Sequence, residues 1–429
     1  MGKGVVINMK IITKKLDYEK VIALPKEKRV KPRKQAAWIR VFLKSISQIA
    51  LKDNHFTCDR SGWDNIPKEQ PCIVLVNHSS FIDLEIVADV MVKRPYHIVC
   101  TKDGFVGLGP ILKLLGCIPT NKFINDVSLV KDMTTIIKQL KEDVVLFPEA
   151  SYSFDGTSTV LPESLGKCVK LLKVPVVMIR TKGAFLQNPL YNELRRRKVN
   201  VSAKVVQLLS VEEVQSKSVD EINQVLAEAF DYDHFKEQQE TGILVKESFR
   251  ADGLHRVLYK CPHCLREDSM EGKGITITCR SCGASYELLE TGFLKAKNCE
   301  EKFNHIPDWY RWQRHCVKKE LEEHSYQMEL DVDIAVLVNT KCVYKVGHGH
   351  LSHTKEGFHL TGLDGKLDYY QKPVASYSLY SDFYWYEIAD MISIGDEKIQ
   401  YYCFPKTGEN VVAKARIATE ELYKLCKNK

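Results

Sequence analysis

Two groups of residues in this 429-residue chain have types and spacings suited to chemistry. The first is His78 with Asp83, in Asn77-His78-Ser79-Ser80-Phe81-Ile82-Asp83. An imidazole takes up a proton near neutral pH, and a carboxylate on its other nitrogen fixes the tautomer. His78 is therefore a candidate base and Asp83 its orienter. The spacing alone is a weak signal, since a chain with 13 histidines is expected to contain about one such pair by chance. The second group is Cys261-Pro262-His263-Cys264 with Cys279-Arg280-Ser281-Cys282. Two such knuckles bring four thiolates into the tetrahedron that structural zinc prefers, and the fold of so small a segment depends on its metal. Ile275-Thr276-Ile277-Thr278 alternates between them as a strand does, so the expectation is a zinc ribbon. A redox dithiol, the lesser reading, needs only one pair. His263 is expected to be exposed rather than a ligand.

The elements around His78 should place it at a sheet edge. Cys72-Ile73-Val74-Leu75-Val76 is an unbroken apolar run that stops at Asn77, as a buried strand of an α/β sheet does. Ligands of such folds bind beyond the carboxyl ends of the strands. Further strand-like runs are 96–100, 144–147, 174–179 and the alternating 199–207. Amphipathic helices are expected from Asn125 or Asp126 to Leu140, near 162–173, and after the capping box Ser218-Val219-Asp220-Glu221. The alternation argues for an α/β domain of about 170 residues. A second buried strand ends in Phe147-Pro148-Glu149, so Glu149 joins the candidates.

Four of these segments, in order, resemble the blocks of the PlsC-type glycerolipid acyltransferases. They are Asn77 to Asp83, Gly116 to Lys122, Phe147-Pro148-Glu149-Ala150-Ser151, and Val174 to Ile179. The resemblance implies an α/β acyltransferase domain with a mixed sheet flanked by helices. It also implies transfer of a fatty acyl group from acyl-CoA or acyl carrier protein to a lysophospholipid hydroxyl. The default is 1-acylglycerol-3-phosphate going to phosphatidate, with His78 as general base and Asp83 holding its ring. Glu149 would help bind the acceptor, or else cap its own loop. Ser79, Ser80 and Ser151 would bond the acceptor or the loop, two readings that stay open, and Lys102 is a basic side chain near the site. The step calls for no organic cofactor. The chain departs from the family where Arg commonly closes the second block, here Lys122, and in the third block, here Ala150, Ser151 and Tyr152. Lysine can act as a point charge, but neither Lys nor Tyr makes a bidentate fork on phosphate. A different lysolipid or polar acceptor is therefore the alternative, and an inactive lipid-binding or docking protein is the rival.

Composition sets the frame. The 44% hydrophobic and 27% charged residues are those of an ordinary folded protein of two to four domains. Most of the 14 Cys stand singly in apolar runs, which fits reduced thiols in the cytoplasm. No apolar run approaches the ~18 residues of a spanning helix, and the first twenty residues lack a signal peptide's pattern. The net charge of +7 is uneven: residues 1–60 carry 15 Lys/Arg against 5 Asp/Glu. A basic run at 26–34 leads into Trp38, Phe42, Ile46 and Ile49 at helical spacing, which reads as an interfacial helix on an anionic phospholipid surface. The expected location is the cytoplasm, peripheral on the inner face of the cell membrane. No basic-aromatic face argues for nucleic acid.

The expected domains are 1–60, the basic arm and membrane-interface helix; 61–240, the acyltransferase domain; 241–325, the zinc ribbon with helical linkers; and 326–429, a β-rich domain with a final helix near 408–427. Element order in the last region resembles a pleckstrin-homology-like barrel. Trp309 and Trp312 read as a packing stripe or a membrane anchor. His348, His350 and His353 read as a polar hairpin tip or a metal site.

Overall fold

The computed structural model describes residues 11–27, 29–124, 126–193, 195–406 and 410–427. Residues 1–10 and Lys28 of the expected arm, Asn125 of the expected cap, and residues 408–409 of the expected final helix lie outside them.

A seven-stranded sheet organises the first half. Its order is Thr57–Asp59, Ser202–Leu209, Val176–Lys182, Ile73–Val76, Asp143–Leu146, Tyr96–Thr101, Cys117–Thr120. Only the pairing of Val176–Lys182 with Ser202–Leu209 is antiparallel, so the sheet is mixed. Ile73–Val76 lies at its centre, with Ile73 beside Val144 on one side and Val176 on the other. Its residues are apolar without a break because both faces are covered. Ile73 and Leu75 pack with Val144, Met178, Val169 and Leu226, while Val74 and Val76 pack with Ile86, Val90, Val145 and Ile179. Successive side chains of a strand point to opposite faces, which divides the run between two cores. Asp126 caps the Val127–Thr135 helix through Ser128 N and Leu129 N, and Ser218 with Glu221 forms the expected capping box.

The helix Ala37–Asp53 buries only Ile39, Ser47 and Leu51. Trp38, Val41, Phe42, Ile46 and Ile49 are exposed, Trp38 by 63%. No described helix is long and apolar enough to cross a membrane. Ahead of this helix, Thr13–Lys15 adds a parallel strand beside Val343–Lys345.

Four short antiparallel strands, Met270–Lys273, Thr276–Cys279, Ser285–Leu288 and Leu294–Ala296, form the ribbon around the cysteine quartet. The helix Ile306–Glu322 follows, with Trp309 fully buried and its indole N–H donating to Lys260 O at 3.0 Å. The last region is one sheet in the order Leu367–Gln371, Gly357–Gly362, Val343–Thr354, Met328–Leu337, Gln400–Pro405, Ala389–Gly395, Tyr380–Trp385, closed by the helix Val411–Lys427. The first four of its strands in sequence form one meander and the last three another, joined where the first strand pairs with the last. The histidine trio corrects the hairpin-tip expectation. His348 and His350 lie within the Val343–Thr354 strand opposite Asp333 and Asp331, and His353 is buried against Phe358. Sequence spacing could not reveal these cross-strand carboxylates.

This sheet packs on the first half of the chain. Phe123 and Val106 join Tyr380, Trp385 and Tyr402 in one apolar cluster. The Tyr380 hydroxyl and the Trp385 indole both donate to Asp103 Oδ2, the latter at 3.3 Å.

A buried ion pair anchors the central strand. Asp143 accepts Cys72 N at 2.8 Å and the Arg94 guanidinium at 2.7 and 3.1 Å, with both side chains about 95% or more buried. Removing one partner of such a pair leaves an uncompensated charge. Asp143→Ala should therefore cost about 3–5 kcal/mol in a denaturation experiment; a loss below about 1 kcal/mol would show that the pair does not secure the strand.

Candidate active site

The central strands are parallel, so the chain leaves both Val76 and Leu146 on the same edge of the sheet. This brings the His78 loop and the Glu149 loop together, 71 residues apart in sequence. They are stitched by the His78 amide, which donates to Glu149 Oε2 at 2.8 Å, and by the Ser153 amide, which donates to His78 O at 3.2 Å.

Asp83 sits in the first turn of the helix Ile82–Val90, where a carboxylate is favoured by the helix dipole. Its Oδ2 accepts the amides of Ser79 at 2.6 Å and Ser80 at 3.0 Å, and lies 3.3 Å from His78 Nδ1. Its Oδ1 is buried with no hydrogen-bond partner among the described residues. The His78 ring lies between Phe147 and Tyr152, at centroid distances of 4.5 and 4.2 Å, and keeps 16% of its side-chain surface. Burial, helped by the charge of Lys122, lowers the His78 pKa to about 3. Burial raises Asp83 to about 7, against the pull of the Ser80 and Ser79 amides. Near neutral pH the imidazole is therefore uncharged, and the carboxylate neighbour assigns the ring proton to Nδ1. Nε2 is left with a lone pair, the requirement for a base acting on a hydroxyl.

The other expected site residues divide. Glu149 is fully buried, and both its oxygens are engaged inside the protein. Besides His78 N, it accepts Thr159 N at 2.8 Å and the Tyr232 hydroxyl at 2.7 and 2.8 Å. Burial pushes its pKa up to about 7. In this geometry Glu149 holds the His78 loop rather than facing an acceptor. Ser79, 1% exposed, turns its hydroxyl inward to Asn77 Nδ2 at 3.0 Å and His234 Nε2 at 3.1 Å. Ser151 donates to Tyr152 O at 3.3 Å and is also buried. Lys122 does lie at the site: its ammonium is 4.0 Å from the Tyr380 ring centre, and its charge reaches His78. Lys102 instead donates to Glu397 O at 3.2 Å, in the turn between the strands Ala389–Gly395 and Gln400–Pro405.

Four residues that sequence reading missed complete the surroundings. Tyr232 and His234 approach from beyond the blocks. Asp382 has a buried Oδ1 without a partner among the described residues, and burial raises its pKa to about 7 despite the charge of Lys122. Arg416, from the last helix, stacks 3.5 Å over Phe154 and donates to Ser381 O at 3.0 Å. All four come from segments with no local motif, so no spacing signal marks them.

Elsewhere, the Sγ atoms of Cys261, Cys264, Cys279 and Cys282 lie within 4.8 Å of one another. The Cys261–Cys282 and Cys264–Cys279 separations are 3.7 Å, close to the ~3.8 Å edge of a tetrahedron with Zn–S bonds of about 2.3 Å. The donor set could hold a metal such as zinc.

Three comparisons bear on the chain. The acyltransferase family model matches residues 58–182. No curated protein matches. Among solved structures the chain is similar to the 1-acyl-sn-glycerophosphate (LPA) acyltransferase PlsC from Thermotoga maritima, at 17% identity over 45% of this chain and 77% of that one, with a TM-score of 0.37. The family match spans the His78, Lys122 and Glu149 loops described above. Residues 58–182 of this protein are an acyltransferase-family domain.

Proposed function

We propose that the protein transfers a fatty acyl group from an acyl thioester, carried by coenzyme A or acyl carrier protein, to a lysophospholipid hydroxyl. The observation that carries this reading is the placing of His78 Nδ1 3.3 Å from Asp83 Oδ2, which leaves Nε2 for substrate. Nε2 takes the acceptor's hydroxyl proton as the oxygen attacks the thioester carbonyl, and the imidazolium is stabilised by Asp83. Collapse of the tetrahedral intermediate breaks the C–S bond, and the departing sulfur recovers the proton from Nε2. The products are an ester and a free thiol. With 1-acylglycerol-3-phosphate as acceptor, Lys122 is the point charge at the phosphate, and Tyr152 offers no second one.

The reaction belongs at a lipid surface. The exposed face of Ala37–Asp53 supports this reading, as do Phe81 and Leu84, exposed by 40 and 41% on the neighbouring helix. Phe81 lies 5.7 Å from the Tyr152 ring, which itself packs on His78, so apolar surface leads from the helices to the base. Anionic phospholipid would meet the basic arm, which fits a peripheral protein on the inner face of the cell membrane. In the ribbon, zinc on the four cysteines is structural, and the order of the last seven strands with their closing helix supports a pleckstrin-homology-like domain.

His78→Ala should abolish release of free thiol from long-chain acyl-CoA while leaving the melting temperature within a few degrees; unchanged turnover would defeat the mechanism. Asp83 must be ionised to accept the hydrogen bond from Nδ1–H and stabilise the imidazolium, so kcat/KM should fall as pH drops through about 7. That limb should persist in Glu149→Gln, whereas a limb near pH 4 would point away from Asp83. Phe42→Glu should weaken sedimentation with vesicles of anionic phospholipid by about tenfold, and equal binding would remove the helix from the interface. Cys261→Ser should release zinc measured by metal analysis, and a full complement of zinc would contradict the ligand set.

A further inference from the structure

One short segment, fifty residues beyond the family match, touches both the His78 loop and the Glu149 loop. Asp233 bridges antiparallel to Thr157, so the backbone there is extended and neighbouring side chains alternate. Tyr232 and His234 face the active site, the first holding Glu149 and the second 3.1 Å from Ser79 Oγ. Asp233 faces away. Its Oδ2 accepts from His305 Nε2 at 2.7 Å, and its Oδ1 caps the helix His234–Thr241.

Neighbouring groups fix the direction of the Ser79 hydrogen bond. Asn77 Oδ1 accepts Thr181 N at 2.7 Å, which turns the Asn77 amide nitrogen toward Ser79 Oγ as a donor. The Ser79 hydroxyl hydrogen then has His234 Nε2 as its acceptor. The ring proton belongs on Nδ1, facing Glu237 Oε2 at 3.8 Å, and Glu237 is held by Lys182 at 2.5 Å. Serine, imidazole and carboxylate in this order resemble a nucleophile relay. Burial argues against that role: Ser79 is 1% and His234 2% exposed, too little for a thioester to reach. What the hydroxyl holds is a turn. The amide of the same Ser79 makes the shortest of the hydrogen bonds to Asp83, which in turn meets His78. Phe185 stacks parallel on the His234 ring, with 7° between the planes, so the ring cannot swing aside without disturbing the core.

We propose that His234 is a positioning residue for His78: by accepting the Ser79 hydroxyl hydrogen it holds the turn whose amides anchor Asp83, and through Asp83 it sets the orientation of the imidazole. The proposal rests on His78 being the base. Its test combines steady-state kinetics with palmitoyl-CoA and 1-acylglycerol-3-phosphate, melting curves, and histidine-ring NMR of the full chain. His234→Ala should lower kcat about 10–100-fold with the donor KM within about twofold. His234→Gln, whose amide oxygen can accept the hydroxyl hydrogen, should recover most of that loss. The His78 ring signal, identified by its disappearance in His78→Ala, should shift in His234→Ala and return toward its position in His234→Gln. Ser79→Ala removes the same hydrogen bond with less loss of volume and should reproduce the fall in kcat. Wild-type kcat and an unmoved His78 signal in Ser79→Ala or in a folded His234→Ala would overturn the proposal, as would equal losses in His234→Gln and His234→Ala. A fully active His78→Ala would defeat the base assignment instead, while the ring signals would still report whether His234 orients His78.

Discussion

The sheet edge that carries His78 depends on one buried carboxylate. Asp83 is fully buried, yet its Oδ2 collects two backbone amides and the His78 ring. Hydrogen bonds to the charged form oppose the desolvation that would otherwise keep a buried carboxyl neutral. Here burial wins in part, and Asp83 is left titrating at about 7. A carboxylate so placed cannot relax toward water, so the turn from Ser79 to Asp83 and the imidazole it carries hold one geometry. Glu149 applies the same logic on the other side, where amides and a phenol support a carboxylate that in turn grips the His78 peptide. His78 is therefore set between two buried anchors, one acting on its ring and one on its backbone.

Those anchors are in turn braced by distant parts of the chain. Tyr232 and His234 close on them from the segment leading into His234–Thr241, and the carboxyl-terminal sheet reaches the same face through Tyr380, Trp385 and Arg416. Asp103 accepts from two side chains of that sheet, and Lys122 lies against Tyr380. The carboxyl-terminal sheet is thus part of the wall beside the His78 and Glu149 loops rather than an appendage. The strand Thr13–Lys15 ties the beginning of the described chain to the same sheet, so both ends of the described chain converge on one region.

Much of this was legible in the residue order. Unbroken apolar runs gave the central strands because a doubly covered sheet needs them, and abrupt polar stops marked the edge where His78 and Glu149 emerge. The capping box at Ser218 and the cap at Asp126 located helix starts, and paired knuckles located the four thiols. These signals are local, repeating within a few residues. The fate of Glu149 and Ser79 was not legible. Residue order left open whether each would serve a ligand or its own loop, and both turn inward, because Tyr232, Thr159, Asn77 and His234 supply partners that no spacing rule connects to them. His348 and His350 followed the same course, since their carboxylates lie across a strand pair.

The sequence by itself determined which residues could form strands, which side chains had chemistry to offer, and which of them stood at strand ends. Period and chain stiffness carry that information, and both act over a few residues. Only the tertiary structure decided which polar groups would meet. Satisfying a buried donor or acceptor depends on what the rest of the chain brings within about 3 Å, and here the partners of Glu149 and Ser79 arrive from as far as 83 and 155 residues away.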